Sequence, residues 1–135
     1  MPLAVDSSAL YAIINAEPAA ERWFDYIADL GRHERMILCE VTFAELSPFF
    51  DDHAALAVRL ETFGLEFDFI QPDTAFIAGQ LFADYRKAGG PRTSLIPDFL
   101  VGAHALNQAD GLLATDRGYL RQYFRGLRIL QPPSP

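Results

Sequence analysis

Four acidic residues stand at comparable points along the chain. Asp6 directly follows the apolar run Leu3-Ala4-Val5, and Asp116 follows Leu112-Leu113-Ala114 with one residue between. Glu45 lies shortly after Met36-Ile37-Leu38-Cys39, and Asp98 opens the apolar stretch DFLVGAHAL. Two carboxylates ~4 Å apart repel by about 4 kcal/mol at an effective dielectric near 20, so three or four of them gathered in one place need a cation to stay ionised. An all-oxygen donor set suits a hard divalent ion, and Mg²⁺ is typically held by one or two carboxylates with water and substrate phosphate. Zinc would call for nitrogen or sulfur donors, and the histidines at 33, 53 and 104 show no ligand spacing. His104, within an apolar helical stretch, reads as a core histidine.

Each acid has an ordinary reading when taken alone. Asp6 is a turn residue before Ser7 and Ser8. Thr42-Phe43-Ala44-Glu45 matches a capping box. Asp98 follows Pro97 and suits a helix N-terminus. Asp116 precedes Gly118 in a turn-like TDRGY. Taken together, these readings require four separate caps and turns to fall at one edge by coincidence.

The elements that must position these acids alternate between strand-like and helical stretches. LAV, MILC, Leu65–Ile70, Leu112–Ala114 and Leu127–Leu130 read as strands. Helices are predicted after Asp6, over Glu17–Leu30, from Thr42, over Asp51–Phe63, over Pro72–Tyr85 with Gly89-Gly90 as the stop, over Asp98–Gln108, and briefly over Tyr119–Phe124. Strands separated by helices imply parallel pairing. The expected fold is α/β: a three-layer α/β/α sandwich around a central, mainly parallel sheet of about five strands. In open sheets of this kind ligands bind beyond the carboxyl ends of the strands, where Asp6 and Asp116 fall.

The chain has 135 residues, half of them hydrophobic, which suits one domain over 1–131 with a Pro-rich tail at 132–135. It holds one cysteine, no basic signal-like start and no apolar run of the ~20 residues a bilayer span needs, so a cytoplasmic protein with no membrane contact is expected. The net charge of −7 argues against broad, non-specific nucleic-acid binding. It is compatible with a nucleic-acid enzyme that concentrates negative charge in a metal site and sets a few arginines around the rim. Arg92, in a loop with Gly89-Gly90, and Arg117 are the candidates for phosphate contact, with Arg86 and Lys87 reading more simply as surface charge. Most of the eleven Phe, five Tyr and one Trp read as core, with Trp23, Phe24, Phe49 and Phe50 as candidates for partial exposure.

The ordered segments AVDSSALYAII, EVTFAEL, IPDFLVGAHAL and LLATDRGYLRQYF, closed by LRIL, resemble a PIN domain over residues 1–131, most closely the VapC-type toxins of bacterial toxin–antitoxin pairs. The resemblance places the family's acidic set on Asp6, Glu45, Asp98 and Asp116, with Ser7 supporting the first acid and Thr115 preceding the last. It implies a ribonuclease using Mg²⁺ or Mn²⁺ that leaves a 5′-phosphate and a 3′-hydroxyl. It further implies an RNA substrate, a VapB-like antitoxin that covers the metal site, and a homodimer. Two other classes remain open at this point: a non-catalytic PIN-fold binding module, and another α/β protein with an acidic Mg²⁺ pocket. The second lacks support from any lysine placed after a strand, since Lys87 is the only one.

Overall fold

A computed structural model describes residues 1–90, 96–115 and 122–134. Five three- or two-residue strands form one sheet: β1 (Leu3–Val5), β2 (Met36–Leu38), β3 (Leu65–Phe67), β4 (Gly111–Leu113) and β5 (Ile129–Leu130). Their order is β3-β2-β1-β4-β5, and every pair is parallel. The expected sheet was mainly parallel; the observed one is wholly so. The helices among the described residues are α1 (Ser7–Ile14), α2 (Ala20–Gly31), α3 (Glu40–Leu46), α4 (His53–Thr62), α5 (Pro72–Lys87) and α6 (Ile96–Gln108), with a 3₁₀ turn at Ser47–Phe49.

Alternating strand residues feed two separate cores, because successive side chains point to opposite faces of a sheet. Leu3, Val5, Met36, Leu38, Leu65 and Leu113 pack with Leu10, Trp23, Ile27, Leu46, Leu56 and Leu60 of α1–α4. Ala4, Ile37 and Leu112, with Ala114 just past β4, pack on the other face with Ala78 of α5, Phe99, Val101, Ala103 and Ala105 of α6, and Phe124. This is the three-layer sandwich. β1, β2 and β4 are buried at every position, as a parallel sheet covered on both faces requires.

Local chemistry explains most helix ends. α5 begins with Pro72, whose fixed φ suits a first turn. It ends in a Schellman arrangement: Gly89 takes φ 90°, its N–H donates to Arg86 O, and the Gly90 N–H donates to Tyr85 O. Arg86 and Lys87 lie in that last turn, where cations complement the helix dipole. Asp52 caps α4 by accepting from the Ala55 N–H at 2.8 Å. The third strand is shorter than Leu65–Ile70, because the Ile70 N–H is taken by Glu40 Oε1 at 2.8 Å rather than by the sheet. The second helix starts at Ala20, three residues later than Glu17, after a turn through Pro18 and Ala19. Tyr119 to Arg121, part of the last predicted helix, lie outside the described residues.

Candidate active site

The strand order reverses once. The chain runs outward from β1 to β2 and β3, then returns to place β4 on the opposite side of β1. The crevice beyond the carboxyl ends of β1 and β4 is therefore a topological switch point, the place where such sheets bind ligands. Asp6 is the residue immediately after β1, and its N–H still pairs with Leu113 O of β4 at 2.9 Å. Ala114 and Thr115 follow β4 at the same edge.

Asp6 is 4% exposed and caps α1. Its Oδ2 accepts the Ser8 N–H at 3.3 Å and the Ser8 hydroxyl at 2.6 Å. The same Ser8 Oγ accepts the Thr115 N–H at 3.1 Å. Ser7, also buried, donates its hydroxyl to Glu45 Oε1 at 3.2 Å, and the Tyr11 hydroxyl donates to the Glu45 carbonyl at 2.6 Å. One turn of α1 thus contacts both the first and the second predicted acid. Tyr11 reports the resulting field: its phenol is pushed above the usual tyrosine range, by burial first, then by the charge of Glu45, with a further push from Asp6 and a partial offset from Ser7. Two carboxylates therefore sit within electrostatic reach of one hydroxyl.

Glu45 reaches this position by a different route from the capping box. Cys39, not Thr42, is the N-cap of α3, so Thr42 lies inside the helix with its side chain buried, its Oγ1 3.9 Å from Cys39 Sγ. A capping Thr42 would need extended backbone, and the helix beginning two residues earlier denies it that. Glu45 is in the second turn of the helix, and its side chain accepts from Ser7. Asp98 is the third residue of α6 rather than its first, half-buried in the first turn, where an acidic side chain is favoured by the helix dipole. α6 packs against β1 and α3, and it leads into β4, which runs parallel to β1. A helix returning to a parallel strand runs against it, which directs its first turn toward the carboxyl edge of the sheet.

Asp116, Arg92 and Arg117 lie outside the described residues. Among the described residues, no three His, Cys, Asp or Glu side chains form a metal-holding group. The donor chemistry near the switch point is nevertheless that of a hard cation: a buried carboxylate, a second carboxylate that accepts from the adjoining Ser7, and serine hydroxyls. His104 does not contribute. It is 1% exposed and its Nε2 pairs with Asp68 Oδ2 at 2.8 Å, the core role expected of it. Ser8 and Tyr11 are the contributors that pattern reading overlooked. Ser8 offers one signal in retrospect, a hydroxyl two residues after a capping aspartate; Tyr11 offers none short of the fold.

The family model for the PIN domain matches residues 3–125. The chain belongs to the PIN domain family. Solved structures similar to this PIN domain include a chain in VapBC2 from Rickettsia felis bound to a DNA fragment from their promoter, with TM-score 0.74 and 16% identity over 98% of this chain and 100% of that one. A chain of VapBC-1 from nontypeable Haemophilus influenzae gives 0.72 and 18% over 97% and 98%. One from DNA-bound VapBC of Salmonella typhimurium gives 0.70 and 20% over 97% and 98%. At these identities the likeness establishes a shared fold. No curated protein sequence matches this PIN domain.

The aromatic surface of the PIN domain divides as its helices dictate. Trp23, one of the candidates for partial exposure, is buried with Ile27 on the inner face of α2. Phe24, one position on, is 48% exposed; Phe49 is 47% exposed, its ring tilted 54° to that of Tyr11 at 5.1 Å; Phe50 is half-buried. Phe24, Ile27, Ala28 and Phe63, with Arg32 and Glu61 beside them, line a groove between α2 and the end of α4. Among the described residues no helix is long and apolar enough to cross a membrane.

Proposed function

We propose that this PIN domain is a Mg²⁺- or Mn²⁺-dependent endoribonuclease of the VapC type, the toxin of a type II toxin–antitoxin pair acting in the cytoplasm. The observation that carries the reading is a buried aspartate, Asp6, at the switch point of a wholly parallel sheet, with Glu45 tied to the adjoining Ser7. Asp6 and Asp98 are the principal metal ligands in this reading. Asp116 binds directly or through water, and Glu45 orients the attacking water or completes the shell. Mg²⁺ is commonly held by one or two carboxylates, so a cage of three protein groups is not required. A divalent ion held there would lower the pKa of a water and neutralise charge on a scissile phosphate. The chain's own part is to hold that water's acceptor at Glu45 and to orient the Asp6 carboxylate through its two Ser8 donors. Arg92 and Arg117 approach phosphate, and Ser7 and Thr115 flank the reacting group.

The partner reading follows from two supports. The similar structures are of VapBC assemblies, and the groove between α2 and α4 sets apolar residues beside Arg32 and Glu61, a lining suited to an amphipathic helix. A VapB-like antitoxin and a homodimer complete the proposal, with residues 1–131 as one folded unit. Net charge of −7 predicts few phosphate contacts and a narrow RNA target.

The test is cleavage of total RNA in Mg²⁺ or Mn²⁺ by the wild type, Asp6→Ala and Asp98→Asn, with folding checked by circular dichroism. Metal-dependent cutting by the wild type and none by the folded variants is expected. Variants that cut as well as the wild type would remove the catalytic assignment, and a wild type that binds metal without cutting would turn the reading to a non-catalytic binding module.

A further inference from the structure

Ser8 does more at the head of α1 than a helix cap requires. An N-cap needs only a backbone N–H from the first turn on its side-chain oxygen, and the Ser8 N–H supplies that to Asp6 Oδ2 at 3.3 Å. The Ser8 hydroxyl adds a second, shorter bond to the same oxygen, at 2.6 Å. A hydroxyl has one proton to give. With that proton directed at Asp6, the oxygen's lone pairs are left to accept, and the Thr115 N–H arrives at 3.1 Å. Ser8 therefore joins the carboxylate after β1 to the backbone after β4, across the switch point and 107 positions apart in the chain. The residue so pinned immediately precedes Asp116.

We propose that Ser8 is a positioning residue for the metal site: its hydroxyl sets the rotation of the Asp6 carboxylate and, by accepting the Thr115 N–H, ties that carboxylate to the backbone after β4. The inference rests on the ribonuclease reading above. Without the Ser8 hydroxyl the Asp6 carboxylate would lose its 2.6 Å donor, and the Thr115 N–H would lose its acceptor on α1. Partners that orient a metal's ligands commonly contribute tenfold or more to affinity or activity.

The experiment compares the full chain with Ser8→Ala, Ser8→Cys and Ser8→Thr. Free Mn²⁺ is measured by electron paramagnetic resonance during titration, and total-RNA cleavage and thermal midpoint are recorded on the same samples. Ser8→Ala should bind Mn²⁺ about tenfold more weakly and cleave correspondingly slowly. Ser8→Cys, nearly the same shape but a weak donor, should fail in the same direction, which keeps the test sound if the alanine variant folds poorly. Ser8→Thr, which keeps the hydroxyl, should recover most of both. A lowered thermal midpoint with unchanged Mn²⁺ affinity would make Ser8 a helix-cap residue only and overturn the inference. So would Ser8→Ala matching the wild type in affinity and cleavage while Asp6→Ala abolishes both, a result that leaves the ribonuclease reading standing. A wild type that binds no Mn²⁺ would end both.

Discussion

Asp6 is assigned two jobs, cap and ligand, and a pair of substitutions separates them. Asn and Asp are about equally good N-caps. In Asp6→Asn the side-chain carbonyl still accepts from Ser8 N–H and Oγ, so the two bonds to Oδ2 survive in neutral form. A charge at 4% exposure is removed, along with its repulsion toward Glu45. In EDTA the Asn variant should therefore melt at or above the wild-type temperature. Asp6→Ala loses the cap, worth ~1 kcal/mol, and leaves the Ser8 hydroxyl without its acceptor, worth ~1 kcal/mol more. For a chain of this size ~2 kcal/mol lowers the thermal midpoint by roughly 6–10 °C. Saturating Mn²⁺ reverses the order at the top. A ligand at 100 times its Kd adds ~2.7 kcal/mol to the state that binds it, and only the wild type should gain. Differential scanning calorimetry in EDTA and in Mn²⁺ reads both effects. An Asn variant as destabilised in EDTA as the Ala variant would show that the charge itself holds the fold. An Asn variant that gains as much from Mn²⁺ as the wild type would remove Asp6 from the ligand set.

Three further outcomes follow from the packing. Gly102 lies in α6 where an added Cβ would stand 2.7 Å from the ring of Phe124, itself buried against Phe99; Gly102→Ala should cost ~0–2 kcal/mol in urea unfolding, the ~1–3 kcal/mol of overpacking less the ~1 kcal/mol helix gain, and a stabilised variant would mean that the ring moves freely. His104→Ala should cost ~2–4 kcal/mol through the cavity and the lost bond to Asp68, whereas Asp68→Asn, at a half-exposed site that keeps a hydrogen-bonding oxygen, should cost ~1 kcal/mol or less; equal costs would contradict the burial argument. Burial, first among its influences, raises the Cys39 thiol above the ordinary range, so the reactive thiolate is scarce at pH 8: a disulfide reagent should modify the native protein at least ~10-fold more slowly than the denatured one, and fast native labelling would show the site to be open.

The parts of the fold legible in the sequence were those where one physical signal dominated. β1, β2 and β4 are short apolar runs because both faces of a covered parallel sheet are dry, and no competing pattern explains them. Gly89 marked the end of α5 because a Schellman turn needs positive φ. The errors arose where two local signals competed. Thr42-Phe43-Ala44-Glu45 looks like a capping box, yet α3 begins at Glu40 with a cap, Cys39, that makes no side-chain bond; the burial of Thr42 overrode its capping preference. Trp23 and Phe24 are neighbours on an amphipathic helix, and the rotation that buries Trp23 with Ile27 turns Phe24 outward, a choice set by α1 and α4 rather than by α2. The Ser8 bridge was illegible for a plainer reason: its two partners are neither periodic nor near each other in the chain.

The opposition between capping and metal binding, which makes any single aspartate at a helix start ambiguous, dissolves at Asp6. Capping acts through one oxygen, and both Ser8 donors fall on Oδ2. A carboxylate has two oxygens and about four acceptor sites, so accepting a cap's hydrogen bonds does not by itself stop it from ligating, and the donors that cap it also fix its orientation. The helix start is thus a sound place to build a ligand: it supplies a fixed rotamer and a positive end of a dipole to a group that must remain charged in a dry crevice. The same reasoning extends to Asp98 in the first turn of α6, and it explains why capping-like sequence around these acids is what a site at a parallel sheet's carboxyl edge should show. The reasoning has a definite consequence. Asp6→Asn should retain the cap and lose the metal, whereas Ser8→Ala, which spares the charge and the capping backbone N–H but removes the hydroxyl donor, should weaken metal binding while the capping bond remains.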